Sequence, residues 1–78
     1  MATLEKEIAR VVSRQLGVSL VKPEHLLTED LGAESVDLVS IIATINDKLR
    51  IAIDESDLLN VRTVADLFNL AARHQSRS

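Results

Sequence analysis

From Ser35 to Arg50 the chain reads SVDLVSIIATINDKLR, and its apolar residues return at helical intervals. At 100° per residue, Leu38, Ile41, Ile42, Ile45 and Leu49 form one stripe, which has to face a core. No other stretch constrains the fold as strongly. Leu4, Ile8, Val11, Val12 and Leu16 repeat the spacing in a first helix, and Val64, Leu67, Phe68 and Ala71 repeat it in a last one. Apolar residues make up 46% of the chain, yet Phe68 is the only aromatic, so that core must be aliphatic. The 78 residues suit one domain spanning 1–78, near the lower limit for a core that folds unaided. The expected fold is all-α, a small four-helix bundle with three main helices, one short helix and no sheet.

Local signals set the expected boundaries. Thr3 can cap the first helix, and Gly17 can end it in the left-handed conformation. A long connection follows, Val18 to Glu34, in which Pro23 is expected to open a short helical turn through Leu26. Leu20, Val21, Leu26, Leu27 and Leu31 are too apolar for a loose linker, so this loop is expected to fold back over the core. Asp54 with Asp57 predicts a short helix holding Leu58 and Leu59 and ending at Asn60. Thr63 with Asp66 predicts a capping box for the last helix. Residues 75–78 read as a disordered tail.

The charge pattern excludes several functions. The net charge is −3, and Glu24, Glu29, Asp30, Glu34 and Asp37 occupy a stretch without Lys or Arg. That stretch repels phosphate backbones, and no basic stripe offsets it, which argues against nucleic acid as a partner. It also reads as plain solvated surface. There is no cysteine for a disulfide, a thiolate metal site or a nucleophile. Charged residues follow Met1 at once, and no apolar run approaches a membrane span, so neither a signal peptide nor membrane insertion is expected. A cytoplasmic address follows. His25 and His74 fit no metal-ligand spacing, Ser35 lacks a nucleophile-elbow frame, and no carboxylate pair has an apolar setting. Catalytic and metal sites are therefore expected to be absent.

What remains is Ser35, at the junction of loop and helix in LGAESVDLVSI. A helix start gathers unpaired N–H groups and partial positive charge, so a phosphate ester on this hydroxyl would sit well there. Gly32 and Ala33 would leave the approach unobstructed. Glu34 and Asp37 would repel a free phosphate and would suit a basic modifying enzyme instead. The plainer reading is an N-cap, whose loss costs about 1 kcal/mol. On the side of the helix opposite the stripe fall Val36, Val39 and Ala43, which serve either as further core or as a docking strip for a partner.

The order of elements and the run LGAESVDLVSIIATIN resemble the acyl carrier proteins, from about Leu4 to Arg73. That family's signature is Leu-Gly-Ala/Gly-Asp-Ser-Leu-Asp/Glu. Leu31, Gly32, Ala33, Ser35 and Asp37 match it, and QLGV, TEDLGA, Ile51–Ile53 and Val61–Asp66 add weaker echoes. The resemblance implies that Ser35 bears a 4′-phosphopantetheine arm, drawn from coenzyme A by a phosphopantetheinyl transferase. The arm's thiol would hold acyl groups as thioesters, giving a chain without cysteine its sulfur. Glu34, Val36, Asp37, Val39 and Ala43 would then dock partners such as an acyl ligase, an acyltransferase or a ketosynthase-type enzyme of lipid or fatty-acid synthesis. The carrier would be a monomer with no catalytic activity of its own.

The departures from the pattern are informative. Glu34-Ser35-Val36 replaces the family's Asp-Ser-Leu, which keeps the charge but lengthens its reach. Ser40, Asn46, Asp47, Lys48 and Arg50 make the second half of the helix neutral to basic, where housekeeping carriers are acidic. Steering toward basic enzymes weakens accordingly, which points to a specialised carrier. A peptidyl or polyketide carrier and an unmodified helical adaptor are the competing readings.

Overall fold

The apolar spacing is realised as four helices in a computed structural model that describes residues 2–76. Helix α1 spans Ala2–Leu16, α2 spans Ser35–Leu49, a short 3₁₀ helix spans Glu55–Asn60, and α3 spans Val64–Ser76. Ile8, Val11 and Val12 from α1, Ile41, Ile42 and Ile45 from α2, and Val64, Leu67, Phe68 and Ala71 from α3 close one core. Leu70 joins them beyond the expected face, and Leu38 and Leu49 pack half-buried at its edge. Among the described residues there is no strand, only an isolated antiparallel bridge between Leu26 and Thr63.

The caps follow the local chemistry closely. At the start of α3, Thr63 Oγ1 accepts from the Asp66 N–H, and Asp66 Oδ2 accepts from the Thr63 N–H, both at 3.0 Å. Asp54 accepts from the Ser56 N–H at 3.1 Å, and Asp57 accepts from the Asp54 N–H at 3.2 Å, which fixes the 3₁₀ helix where the acids predicted it. Gly17 takes φ +68 after α1, and the N–H groups of Gly17 and Val18 both bond to the Ser13 carbonyl. Thr3 is no cap, because α1 already begins at Ala2 and encloses it. Gln75 and Ser76 extend α3, so the expected tail is helical there, and 77–78 lie outside the described residues.

The long loop departs from expectation in one part. No helical turn forms at Pro23. The His25 N–H bonds the Lys22 carbonyl, making Pro23 the second residue of a β-turn, where its locked φ is equally suitable. The chain then pairs with the segment leading into α3. Leu27 N–H donates to the Arg62 carbonyl at 2.9 Å, Val64 N–H to the His25 carbonyl at 3.0 Å, and Ala65 N–H to the Pro23 carbonyl at 2.9 Å. Leu27 is buried beneath this clamp, as expected, whereas Leu20 is 60% exposed and does not fold back. Leaving α2, Arg50 adopts the left-handed conformation, and both its N–H and that of Ile51 bond to the Asn46 carbonyl.

The Asn46 side chain holds the next segment. Its Nδ2 donates to the Ile53 carbonyl at 3.0 Å, and its Oδ1 accepts from the Ile53 N–H at 2.9 Å. Asn46→Ala removes both bonds from a buried residue's backbone, a loss of about 2 kcal/mol. Calorimetry should show a melting temperature lower by roughly 10 °C. Asp66 sets a pH dependence. The N–H groups of Arg62 and Thr63 hold its carboxyl below the ordinary value of 3.8. A lowered carboxylate stabilises the fold above its unfolded pKa, and this is lost as pH falls through the folded value. Melts below about pH 4 should therefore decline less steeply for Asp66→Asn than for the wild type.

Candidate functional site

The residues around Ser35 are positioned from below by the loop. Within it, Asp30 and Leu31 N–H groups bond the Leu26 carbonyl, and Asp30 Oδ2 accepts from the Leu26 N–H at 2.7 Å. Ala33 N–H reaches back to the Leu27 carbonyl at 2.9 Å. Gly32 turns the chain at φ +77, a conformation that disfavours side chains. Ala33 does not clear an approach as its small size suggested. It is buried in the core, where it ties the last loop residues to the bundle. Gly32 remains exposed beside the helix start.

Ser35 is not the cap. Glu34, extended at φ −99 and ψ 172, occupies that position, and its carbonyl accepts the first helical bond from the Leu38 N–H. Asp37 closes the turn by accepting from the Glu34 N–H at 3.0 Å. Ser35 is the first residue of α2, exposed and without a hydrogen-bond partner for its hydroxyl. The first N–H groups of the helix lack intrahelical acceptors, so the dipole presents partial positive charge beside that oxygen. The hydroxyl is thus unengaged and flanked by two carboxylates. Asp37 also accepts from Gln15 Nε2 at 3.3 Å, which sets the end of α1 beside the start of α2.

The outer strip lies open. Val36 is 70% exposed, Val39 is 40% exposed and Ala43 is exposed too, so the other helices do not bury them. Beside Val39 and Ala43 lies a groove of about 460 Å3 whose floor includes Ile42 and Ile53, with Asn46, Asp54 and Glu55 at its sides. Sequence reasoning missed this groove, because Ile42 reads as core and nothing in the spacing announces that Asn46 draws Ile53 alongside. Leu59 lies in the short helix where the sequence placed it, and is 85% exposed there. His74 Nε2 lies 3.4 Å from Asp57, linking α3 to that short helix. Among the described residues no cluster of His, Cys, Asp or Glu could hold a metal ion, and no helix is long and apolar enough to cross a membrane.

Residues 6–71 match the family described as phosphopantetheine attachment site. An acyl carrier protein of Chlamydia trachomatis is 37% identical, over 95% of this chain and 99% of its own length. One from Syntrophobacter fumaroxidans is 30% identical, over 97% and 96%. Among solved structures, a candidate acyl carrier protein from Mycobacterium tuberculosis superposes with a TM-score of 0.85 at 29% identity, over 91% of this chain and 97% of that one. The acyl carrier protein of Thermotoga maritima, at 20% identity, shares the fold with a TM-score of 0.80, over 96% and 94%.

Because Ser35 caps nothing, Ser35→Ala should change stability by no more than about 0.5 kcal/mol, in contrast to the loss expected of a true cap. Asp37→Ala removes the bond to Glu34 and should cost about 1 kcal/mol. Parallel urea titrations of the two variants separate these outcomes.

Proposed function

This chain belongs to the acyl carrier protein family, and on that premise we propose that Ser35 is the residue that receives its arm. The family carries acyl groups on 4′-phosphopantetheine and is served by phosphopantetheinyl transferases and acyl-handling enzymes. One observation supports Ser35 above all: its hydroxyl is exposed, unbonded and set on the first turn of α2. When bound, the arm supplies the thiol on which an acyl group is held as a thioester.

The chain's own residues present that arm. Helix α2 offers its positive end to the phosphodiester, and the buried Ala33 with the left-handed Gly32 holds the serine outward from the core. Glu34 and Asp37 deter free anions and attract the basic surface of a modifying enzyme. Val36, Val39 and Ala43 supply apolar contact around the attachment point. In this reading the protein is a monomeric cytoplasmic carrier without catalysis of its own, loaded by an acyl ligase, acyltransferase or ketosynthase-type enzyme of lipid or fatty-acid synthesis.

In the fold, the basic residues of α2 do not dilute the charge of its groove side, which weakens the sequence argument for a specialised carrier. Lys48 lines the side of the helix that faces α1, and Arg50 sits at the left-handed C-cap. The groove side keeps acids, Asp54 and Glu55.

Coexpression with a phosphopantetheinyl transferase followed by intact mass spectrometry tests the proposal. The wild type should gain one phosphopantetheine, Ser35→Ala none, and Val39→Asp should be modified more slowly while keeping its helicity. An adduct that survives Ser35→Ala would refute the assignment of the residue. Partner binding that persists in Ser35→Ala without any adduct in the wild type would favour the adaptor reading.

A further inference from the structure

A second cleft, away from the groove over Ile42, opens between α1 and α2. It measures about 280 Å3 and is lined by Arg10, Arg14 and Lys48, with Val11 on its floor and Thr44, Gln15 and Glu7 at its borders. Three of the nine Lys and Arg residues therefore gather on one cleft of a chain whose net charge is −3. Among the described residues no carboxylate pairs with any of the three, although Glu7 shares the cleft. Arg14 and Lys48 sit in the last turns of α1 and α2, where a cation suits the negative end of the dipole, but that role does not require them to share a cleft with Arg10. Arg10, Arg14 and Lys48 are all exposed, while the contact they flank is closed by buried Val11.

The shape of the cleft argues for a particular kind of occupant. Glu7 and Gln15 stand eight residues apart, about 12 Å along α1, with Arg10 and Arg14 spaced one turn apart between them. The lining is helix interior on both sides, so no free backbone N–H groups converge to hold a compact phosphate. Thr44 has spent its hydroxyl proton on the Ser40 carbonyl at 3.0 Å, and Gln15 donates to Asp37. What is left is a row of separated, flexible cations over a small apolar floor. Carboxylates spread along an extended chain fit that row better than one concentrated anion.

We propose that the α1–α2 cleft is a second docking surface, which binds a carboxylate-rich segment of a partner protein. It is distinct from the acidic surface around Ser35 and does not depend on that residue's modification. A carrier of this kind presents opposite charge on two faces, so partners of opposite sign engage it without competing for one surface.

The test uses the Ser35→Ala chain, isotopically labelled, so that the outcome is separate from the arm. Titration with hexaglutamate at low ionic strength should shift the backbone amides of Arg10, Arg14, Thr44 and Lys48 saturably and leave Val39 and Ala43 unmoved. Raising salt from about 0.01 M to about 1 M shortens the screening length from roughly 30 Å to 3 Å and should abolish the shifts. Arg10→Glu with Arg14→Glu, its helicity checked by circular dichroism, should weaken binding by about tenfold or more, and Lys48→Glu alone by a smaller factor. Shifts that never saturate or scatter over the surface would overturn the proposal. Pyrophosphate binding at the same amides as tightly as hexaglutamate would show a small-anion site instead. Concentration-dependent sedimentation of the chain alone, removed by the same charge reversals, would show that the cleft receives the acidic loop of a second copy.

Discussion

The loop between α1 and α2 keeps its shape through backbone hydrogen bonds to Arg62, just before α3, and to the first two residues of α3. Eighteen residues, 17–34, run without helix or ladder, and their polar groups need partners wherever they pass over the core. The bonds Leu27 to Arg62, Val64 to His25 and Ala65 to Pro23 answer that need. They turn a long connection into a strut. Leu27 and Ala33 are pressed into the aliphatic interior, and α2 starts from a fixed point. The position of Ser35 thus depends on contacts made more than twenty-five residues later in the chain.

Much of this was legible beforehand because it rests on local chemistry. Capping pairs such as Thr63 with Asp66 and Asp54 with Asp57 act within four residues, so their spacing reveals them. The same holds for the stripe of Ile41, Ile42 and Ile45 and for the placing of Val36, Val39 and Ala43 opposite it, which follow from helical angle; that the latter three are exposed and not further core is settled only by the packing. What escaped the sequence depends on which distant residue lies alongside. Pro23 fits a helical first turn and a β-turn equally, and only the Thr63 segment decides between them. Asn46 looked like a neutral surface residue until the chain returned with Ile53 beside it. The helix begins at Ser35, as its spacing indicates, but Ser35 and Glu34 are both acceptable next to a helix, and it is Glu34 that takes the cap position.

The electrostatics show the same division between order and arrangement. Read in sequence, the second half of α2 mixes Lys48 and Arg50 with Asp47 and Asn46 and suggests a diluted docking face. Folded, the mixture separates. Lys48 joins Arg10 and Arg14 on one flank, while Asp54 and Glu55 border the groove by Val39 and Ala43 on the other. A helix that averages to near neutrality therefore divides two unlike fields, each within about one screening length of its own surface at physiological salt.

The idle hydroxyl of Ser35 has one more implication. Since no neighbour relies on it, the bundle reaches its final shape without it, and a group joined to that oxygen would leave the packing untouched. Folding and the proposed loading would then be separable events, the first complete before the second begins.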